Sequence, residues 1–429
     1  MCMSRHRAKS WCVFCLVLSC RVSFLLSSCF SFHFLLFFTS HHMFCMLFVS
    51  VNDVVARAKR ECSWTFDKAS LAYRHGGAGN NWALGYSMCS GEFLEASLNC
   101  IRRELEYCEN PTSLVTLHSM GGGTGSGLGT RMTEAICDHF PDITLLNIAV
   151  APYHFSEVVV QHYNSLLCLS KIAAAAHGVV LFENEIAQEL CKSMRRIERP
   201  TLNDINQTLA SNILPVILPK YQENSHIYAG LCRDIMHLCP HPNYKLLDVK
   251  HTPQTSDASI NFTFDSWSAL IKNIENMQAA GTPSETSAAK LRFSPNKGFS
   301  PTVHCVNMSS LLILRGLGSK EVSEECITSI RSSKSIRHAS WSDCKEYYNV
   351  CTSPSYVNGY QRSLTLISNG QTVLPYLRRL ITKATDMFKV GAYVHQYTEV
   401  NGDLEIDDFV DAFRALGQVH EDYKLLGRV

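Results

Sequence analysis

The stretch GGGTGSGLG at residues 121–129 constrains this chain more than any other feature. A short apolar run precedes it, with Leu114, Val115, Leu117 and Met120. After it, Leu128, Met132, Ile136 and Phe140 recur at every fourth position, the spacing of one helix face. That order predicts strand, glycine loop, helix. A glycine loop feeding a helix N-terminus is an anion site. Glycines let main-chain N–H groups approach a phosphate, and the helix dipole adds roughly half a positive charge there. Thr124 and Ser126 supply hydroxyl donors. The implied ligand is a nucleotide. The plain alternative is a turn with no ligand. It is disfavoured because so many glycines destabilise a chain unless its backbone must approach something closely.

Elimination narrows the nucleotide class. A dinucleotide fingerprint needs glycines at the first, third and sixth positions. A Walker loop must end in Gly-Lys-Ser/Thr, and Leu128–Gly129 stands there instead. No lysine follows to neutralise phosphate, so the loop must work through main-chain amides and the dipole.

A chain of 429 residues is too long for one compact core and predicts about two to three domains. The net charge of +1 implies attraction to neither nucleic acid nor a membrane surface. The nineteen cysteines are scattered rather than framed. Cys62, Cys89, Cys100, Cys108 and Cys137 fall in helical or strand contexts, so buried free thiols are expected. Cys344 and Cys351 make no zinc spacing with a second pair.

Residues 1–50 differ from the rest. Phe, Leu, Cys, Ser and Val dominate, and no acidic residue occurs before Asp53. The run is long enough to read as a membrane span, or as a signal sequence with Arg5, Arg7 and Lys9 as its basic start. The favoured reading is an atypical leader, foreign sequence joined to the coding region near Val51. Membrane attachment is not expected.

Beyond residue 50 the motifs form a set. GGGTGSG resembles the signature loop of the tubulin family. GAGNNWALGY at 77–86 is similar to the upstream loop that contacts the phosphates. EVVVQHYNSLL at 157–167, ENEIAQELC at 183–191 and ERPTLNDINQTLA at 198–210 follow in family order, as do PHP at 240–242, LILRG at 312–316 and AYVHQY at 392–397. The resemblance runs from about residue 52 to the C-terminus. Within the family it is nearest the delta class, through NNWALGYS, NDINQTLA, LCPHPNYKLL and AYVHQYTE followed by an acidic helix.

The resemblance implies an α/β fold: a tubulin-like three-layer nucleotide-binding domain, N-terminally incomplete, then a second smaller α/β domain and C-terminal helices. The boundaries expected are 1–50 for the leader, 51–220 for the guanine-nucleotide domain with its core helix, 221–372 for the intermediate domain and 373–429 for the helical region. The family's first strand, its Gln-Cys-Gly-Asn-Gln type loop and the later acidic loop near magnesium have no counterpart here. Losing the first strand is expected to leave an apolar edge beside the strand that carries the glycine loop. The leader could serve as a surrogate strand, but it shows no clean alternation. The end of the chain, Lys-Leu-Leu-Gly-Arg-Val, lacks the acidic tail of the major tubulins. That argues against a bulk microtubule subunit.

Residue by residue, the family pattern implies GTP as cofactor. Asn80 falls at the phosphate loop, and Gly121, Gly122, Gly123, Thr124, Gly125 and Ser126 form the signature loop. Gln161 stands where a glutamate usually contacts the ribose; its amide can bond a hydroxyl, more weakly than a carboxylate. Asn184 and Asn206 match the guanine-reading asparagines, each with a donor and an acceptor. Spacing alone would favour helix capping or a solvated face for both. Leu202 replaces an aromatic that stacks on the base, a loss of roughly 1–3 kcal/mol by analogy with single-strand binders. Magnesium belongs to the intact family site; no metal ligand is assigned here.

The family's hydrolytic carboxylate acts in trans, before the Pro-x-Pro. Counting back from Pro240 lands on Arg233, with Asp234 one residue on. Arg233 at that position implies a subunit unable to activate water in its neighbour, and Asp234 would keep hydrolysis open. A surface Arg-Asp pair with no such role stands equally. By resemblance the chain is a structural subunit of centriolar, basal-body and ciliary microtubules in the cytoplasmic cytoskeleton. Its partners are other tubulin subunits and centriolar proteins, with no nucleic acid. The alternatives are a GTPase cycling with assembly and a truncated product defective in nucleotide binding.

Elsewhere, Leu94, Leu98, Ile101 and Leu105 mark an amphipathic helix over 90–109. ITLLNIAV at 143–150 and GVVLF at 178–182 read as buried parallel strands. GTPSETSAAKLRFSPNKGFS at 281–300 reads as a loop. Residues 373–389 and 403–426 read as a basic and an acidic outer helix. The span 399–410 mimics a calcium loop but has Leu404 and Val410 where Gly and Glu are needed, so it is rejected. The sequons at Asn206, Asn261 and Asn307 are dismissed.

Overall fold

A computed structural model describes residues 34–38, 43–47, 72–74, 76–154, 158–193, 196–222, 229–255, 266–285, 305–319, 322, 328, 337–341, 347–400 and 404–427. Cys62, Asn261, Cys344 and residues 286–300 of the expected loop lie outside the described residues.

The apolar runs become strands of one sheet. Strands β3 (Ser113–Ser119), β4 (Thr144–Ala151), β5 (Gly178–Glu183) and β7 (Leu246–Thr252) pair in parallel. Two residue pairs, Val179 with Leu246 and Val180 with Leu247, join β5 to β7. From β7 the sheet continues through antiparallel β11 (Arg362–Gly370) to β8 (Val306–Gly316), then β10 (Tyr348–Ser353) and β6 (Tyr221–Gln222). The short β9 (Arg337–His338) pairs with β8.

The other end of the sheet corrects the expectation of an open edge. Strand β1 (Phe34–Phe38) lies antiparallel beside β3, with Leu36 opposite Leu117, and β2 (Met43–Leu47) pairs outside it. FLLFF and MFCML are unbroken apolar runs. A short continuous apolar run is as consistent with a strand as strict alternation is. The missing alternation was therefore no argument against strand formation.

Three layers result. In β4, Leu146, Ile148 and Val150 face one core; Leu145, Ala149 and Ala151 face the other side. The first face is covered by α5 (Asn184–Ser193), α6 (Leu202–Ile217) and α7 (Leu231–Leu238). The second carries α1 (Trp82–Met88), α2 (Gly91–Glu106), α3 (Gly129–His139) and α4 (Gln161–Ala175). In α2, Leu98, Ile101 and Leu105 are buried as their spacing predicts. Further along, α8 (Trp267–Ala280) packs Leu270, Ile274 and Met277 on Leu312, Val350 and Leu364. The outer helices α9 (Leu374–Lys389) and α11 (Ile406–Leu425), joined through the short α10 (His395–Thr398), bury Leu377, Leu380, Phe409 and Leu416 against α4.

Helix α6 is the spine shared by both halves of the sheet. Thr201 and Asp204 form its capping box, with Thr201 N–H donating to Asp204 Oδ2 at 2.8 Å. At the other end, the buried Arg315 guanidinium donates to the carbonyls of Pro215, Leu218 and Pro219 at 2.9, 2.7 and 3.0 Å. A cation there complements the negative helix terminus and satisfies carbonyls that the last turn cannot. Cys89, Cys168 and Cys351 are buried free thiols. The sequon residues Asn206 and Asn307 are buried, closed to a glycan. Among the described residues no helix is long and apolar enough to cross a membrane.

Replacing Arg315 with leucine strands those three carbonyls. The expected loss is about 3 kcal/mol or more of unfolding free energy, measured by urea titration.

Candidate nucleotide site

Strand β3 ends at Ser119, and Met120 N–H still bonds to Val150 O at 2.9 Å. The chain then turns through Gly121–Gly123. A π-helical turn at Thr124–Leu128 leads into α3. The strand, glycine loop and helix predicted from the sequence are all present, at the carboxyl ends of parallel strands where ligands of α/β sheets bind.

The reason for the glycines differs from the sequence expectation. A Cβ on Gly123 would lie 2.5–2.6 Å from backbone atoms of Ala78 and Asn81. On Gly127 it would lie 2.1 Å from Trp82 O and 2.6 Å from Tyr86 N. On Gly125 it would meet Ser119 O at 2.6 Å, and on Gly129 the His118 ring at 2.8 Å. At Gly123 and Gly127 the close approach is made by the protein's own backbone, as α1 and its cap cross the turn. The two hydroxyls are likewise engaged internally. Buried Ser126 donates to Gly122 O, and Thr124 Oγ1 accepts from Ala78 N–H at 3.4 Å. Of residues 121–130, only Gly122 is not fully buried.

The side chain that ties these loops together was not singled out from the sequence. Asn164, fully buried in α4, donates to Asn80 O at 2.7 Å and Gly121 O at 2.9 Å, and accepts from Trp82 N–H at 2.9 Å. Its signal was available: an asparagine amid the apolar residues of QHYNSLLCL has no place in a core unless its amide is satisfied.

The predicted residues fall in two groups. Asn80 is exposed, with φ of 55°, and its carbonyl takes the Asn164 bond. Asn164, which also bonds Gly121 O, thus ties it to the glycine loop. Gln161, one turn before Asn164 and 3% exposed, donates to Tyr153 O at 2.9 Å and His154 O at 3.4 Å. Asn184 opens α5, and its Oδ1 is buried with no hydrogen-bond partner. Asn206 is buried in α6, which packs on α5 through Ala187, Cys191, Ile205 and Leu209. Leu202, at the position of the family's stacking aromatic, is 55% exposed.

Asp234 belongs to neither group. It is buried on α7, with Oδ2 2.6 Å from the equally buried Lys220 Nζ. Burial raises its pKa, and Lys220 pulls it back. Arg233 is exposed.

The fold and this loop geometry meet in one comparison. The family model described as Tubulin/FtsZ family, GTPase domain matches residues 26–192, a span that takes in β1 and β2. The Homo sapiens tubulin delta chain is 31% identical over 385 residues, covering 87% of this chain and 83% of its own. The chain belongs to the tubulin family. The Mus musculus delta chain is likewise 31% identical, over 88% of this chain and 84% of its own. The beta-1 chain of Chondrus crispus is 27% identical over 84% and 76%. The tubulin GTPase domain carries the implication of GTP, and other tubulin subunits are the partners that membership suggests.

Two predictions follow from the packing. Alanine at Gly127 drives a methyl into the backbone of α1 and is expected to cost about 2–3 kcal/mol or more. Alanine at Gly417, inside α11 with open space around it, should instead stabilise by about 0.5–1 kcal/mol. Thermal midpoints of the two variants check the contrast. The second concerns His118 and His251, both fully buried. Burial lowers each pKa from 6.5 to about 4. Between those values the unfolded chain binds more protons. The stability they contribute is whole above about pH 6.5. It is lost as pH falls toward 4, at about 1.4 kcal/mol per pH unit for each ring. A pH series of unfolding free energies on wild type and His118→Gln checks this; the variant should show the shallower loss.

Proposed function

We propose that the chain is a GTP-binding tubulin subunit of the delta class. Its role is structural, in centriolar and basal-body microtubules and in cilia, assembled with other tubulin subunits and centriolar proteins. The observation that carries the nucleotide reading is the orphaned Asn184 Oδ1, a buried acceptor with nothing to accept from. A guanine edge offers N–H donors, which an asparagine acceptor suits. On this reading Asn184 and Asn206 hold the base, Leu202 covers its face and Gln161 serves the ribose. Asn80 and the main chain of Gly121, Gly122, Gly123, Thr124, Gly125 and Ser126 surround the phosphates. The hydroxyls of Thr124 and Ser126 shape that loop rather than bind. GTP, when bound, supplies negative charge that the α3 dipole stabilises.

No residue is assigned to magnesium. Among the described residues no group of three or more His, Cys, Asp or Glu side chains could hold a metal ion. No step is assigned to one.

Arg233 faces outward where the family's hydrolytic carboxylate would stand, and Asp234 is held inward by Lys220. A guanidinium cannot take a proton from water. The chain is therefore a structural subunit rather than one that triggers hydrolysis in its neighbour. The localisation proposed is the cytoskeleton, at the centriole, basal body and cilium.

The test is titration of the purified chain with fluorescent GTP and ATP analogues, followed by phosphate release in the presence of other tubulin subunits. Saturable binding that prefers guanine, lost on Asn206→Ala, is expected, with no phosphate release above that of the partners alone. Equal binding of both nucleotides sinks the base assignment. Phosphate release that Asp234→Asn abolishes and Arg233→Ala preserves sinks the structural one.

A further inference from the structure

Asn164 spends its whole side-chain hydrogen-bonding capacity at one junction. Its two amide hydrogens go to Asn80 O and Gly121 O, and Oδ1 accepts from Trp82 N–H. The fourth bond comes from outside the nucleotide loops. Tyr397, in α10, donates its hydroxyl to Oδ1 at 2.6 Å, and Val160 O stands farther off at 3.4 Å. The amide orientation is fixed, because carbonyls only accept and a main-chain N–H only donates. A second tie runs beside it. Asn81 caps α1 by accepting from Leu84 N–H at 3.2 Å and donates through Nδ2 to Gln396 O at 2.7 Å.

Neighbouring residues of α10 thus hold both phosphate loops. The Tyr397 ring sits edge-on to Tyr163 of α4 at 5.7 Å and Phe409 of α11 at 5.5 Å. A shift of α11 carries that ring with it.

We propose that Tyr397 and Asn164 are positioning residues for the nucleotide loops. Through them, GTP affinity is coupled to the seating of the outer helices α9 and α11. Its affinity arm rests on the nucleotide reading above. The coupling is a contiguous set of contacts, α11 to Tyr397 to Asn164 to Gly121 and Asn80, and it works in both directions.

Tyr397→Phe keeps the ring and removes only the hydroxyl. In the full chain it should weaken binding of a fluorescent GTP analogue about fivefold, the equivalent of one hydrogen bond. Without nucleotide, it should speed amide exchange over Met120–Leu128 by about the same factor and leave β4 and α8 unchanged. Asn81→Ser retains a capping oxygen but loses the bond to Gln396, and should act in the same direction. Adding GTP to the wild type should slow exchange across Val394–Thr398. Unchanged exchange at Met120–Leu128 in both variants overturns the proposal. So does a uniform rise across the chain, which marks ordinary packing. If the wild type binds no GTP analogue, the functional reading fails, and the nucleotide-free exchange still decides the coupling.

Discussion

The nucleotide half depends on one backbone crossing. Helix α1 passes over the glycine turn so closely that main chain meets main chain, at Gly123 against Asn81 and at Gly127 against Trp82 and Tyr86. Nothing larger than hydrogen fits between them. The crossing sets where the 78–81 loop runs, and so where Asn80 and Gly121 stand relative to each other. Side chains then lock it: Asn164 from α4, and Trp82 Nε1–H to Thr130 Oγ1 at 3.2 Å. A glycine turn built this way is pre-formed, with little backbone freedom left to lose.

The sheet's second half depends on buried charge. Arg315, Lys250 and Lys220 are all buried, and each is answered differently. Arg315 meets three carbonyls at the end of α6. Lys250 pairs with Asp248, which also accepts from Ser368 and Thr372 at 2.6 and 2.8 Å. Lys220 pairs with Asp234 across the approach of α7 to the end of α6. Apolar replacement of both members of the Lys250–Asp248 or Lys220–Asp234 pair would pack as well or better, whereas Arg315 answers carbonyls that an apolar side chain leaves unsatisfied. What the charges provide is register, since each fits one arrangement of helix ends and strands.

Periodicity made the fold legible. Every fourth residue of α3, the apolar face of α2 and the runs of β4 and β5 were read correctly, because burial imposes those patterns directly. The β1–β2 hairpin was the exception. Its runs carry no alternation, and only pairing with β3 shows where they belong. The strand, glycine turn and helix were legible, but not the contacts that hold the turn. The glycines read as room for close backbone approach, and at Gly123 and Gly127 the backbone that approaches is that of α1 and its cap. Asn164 was passed over because a single polar residue in an apolar helix carries no periodic signal. Its meaning lies in Asn80, Gly121, Trp82 and Tyr397, which are far away in sequence and converge only after folding.

The Arg233–Asp234 step shows how far a one-residue ambiguity reaches. On a helix, adjacent positions differ by about 100° in direction. Asp234, Ile235 and Leu238 share the buried face of α7, while Arg233 and Met236 lie outside, Met236 at 68% exposure. Counting along the sequence does not separate the directions of the two side chains, but burial does. Lys220 draws Asp234 inward, and turning that carboxylate out would leave an ammonium stranded in the core. The ion pair that anchors α7 thus leaves Arg233 on the exposed side of the helix.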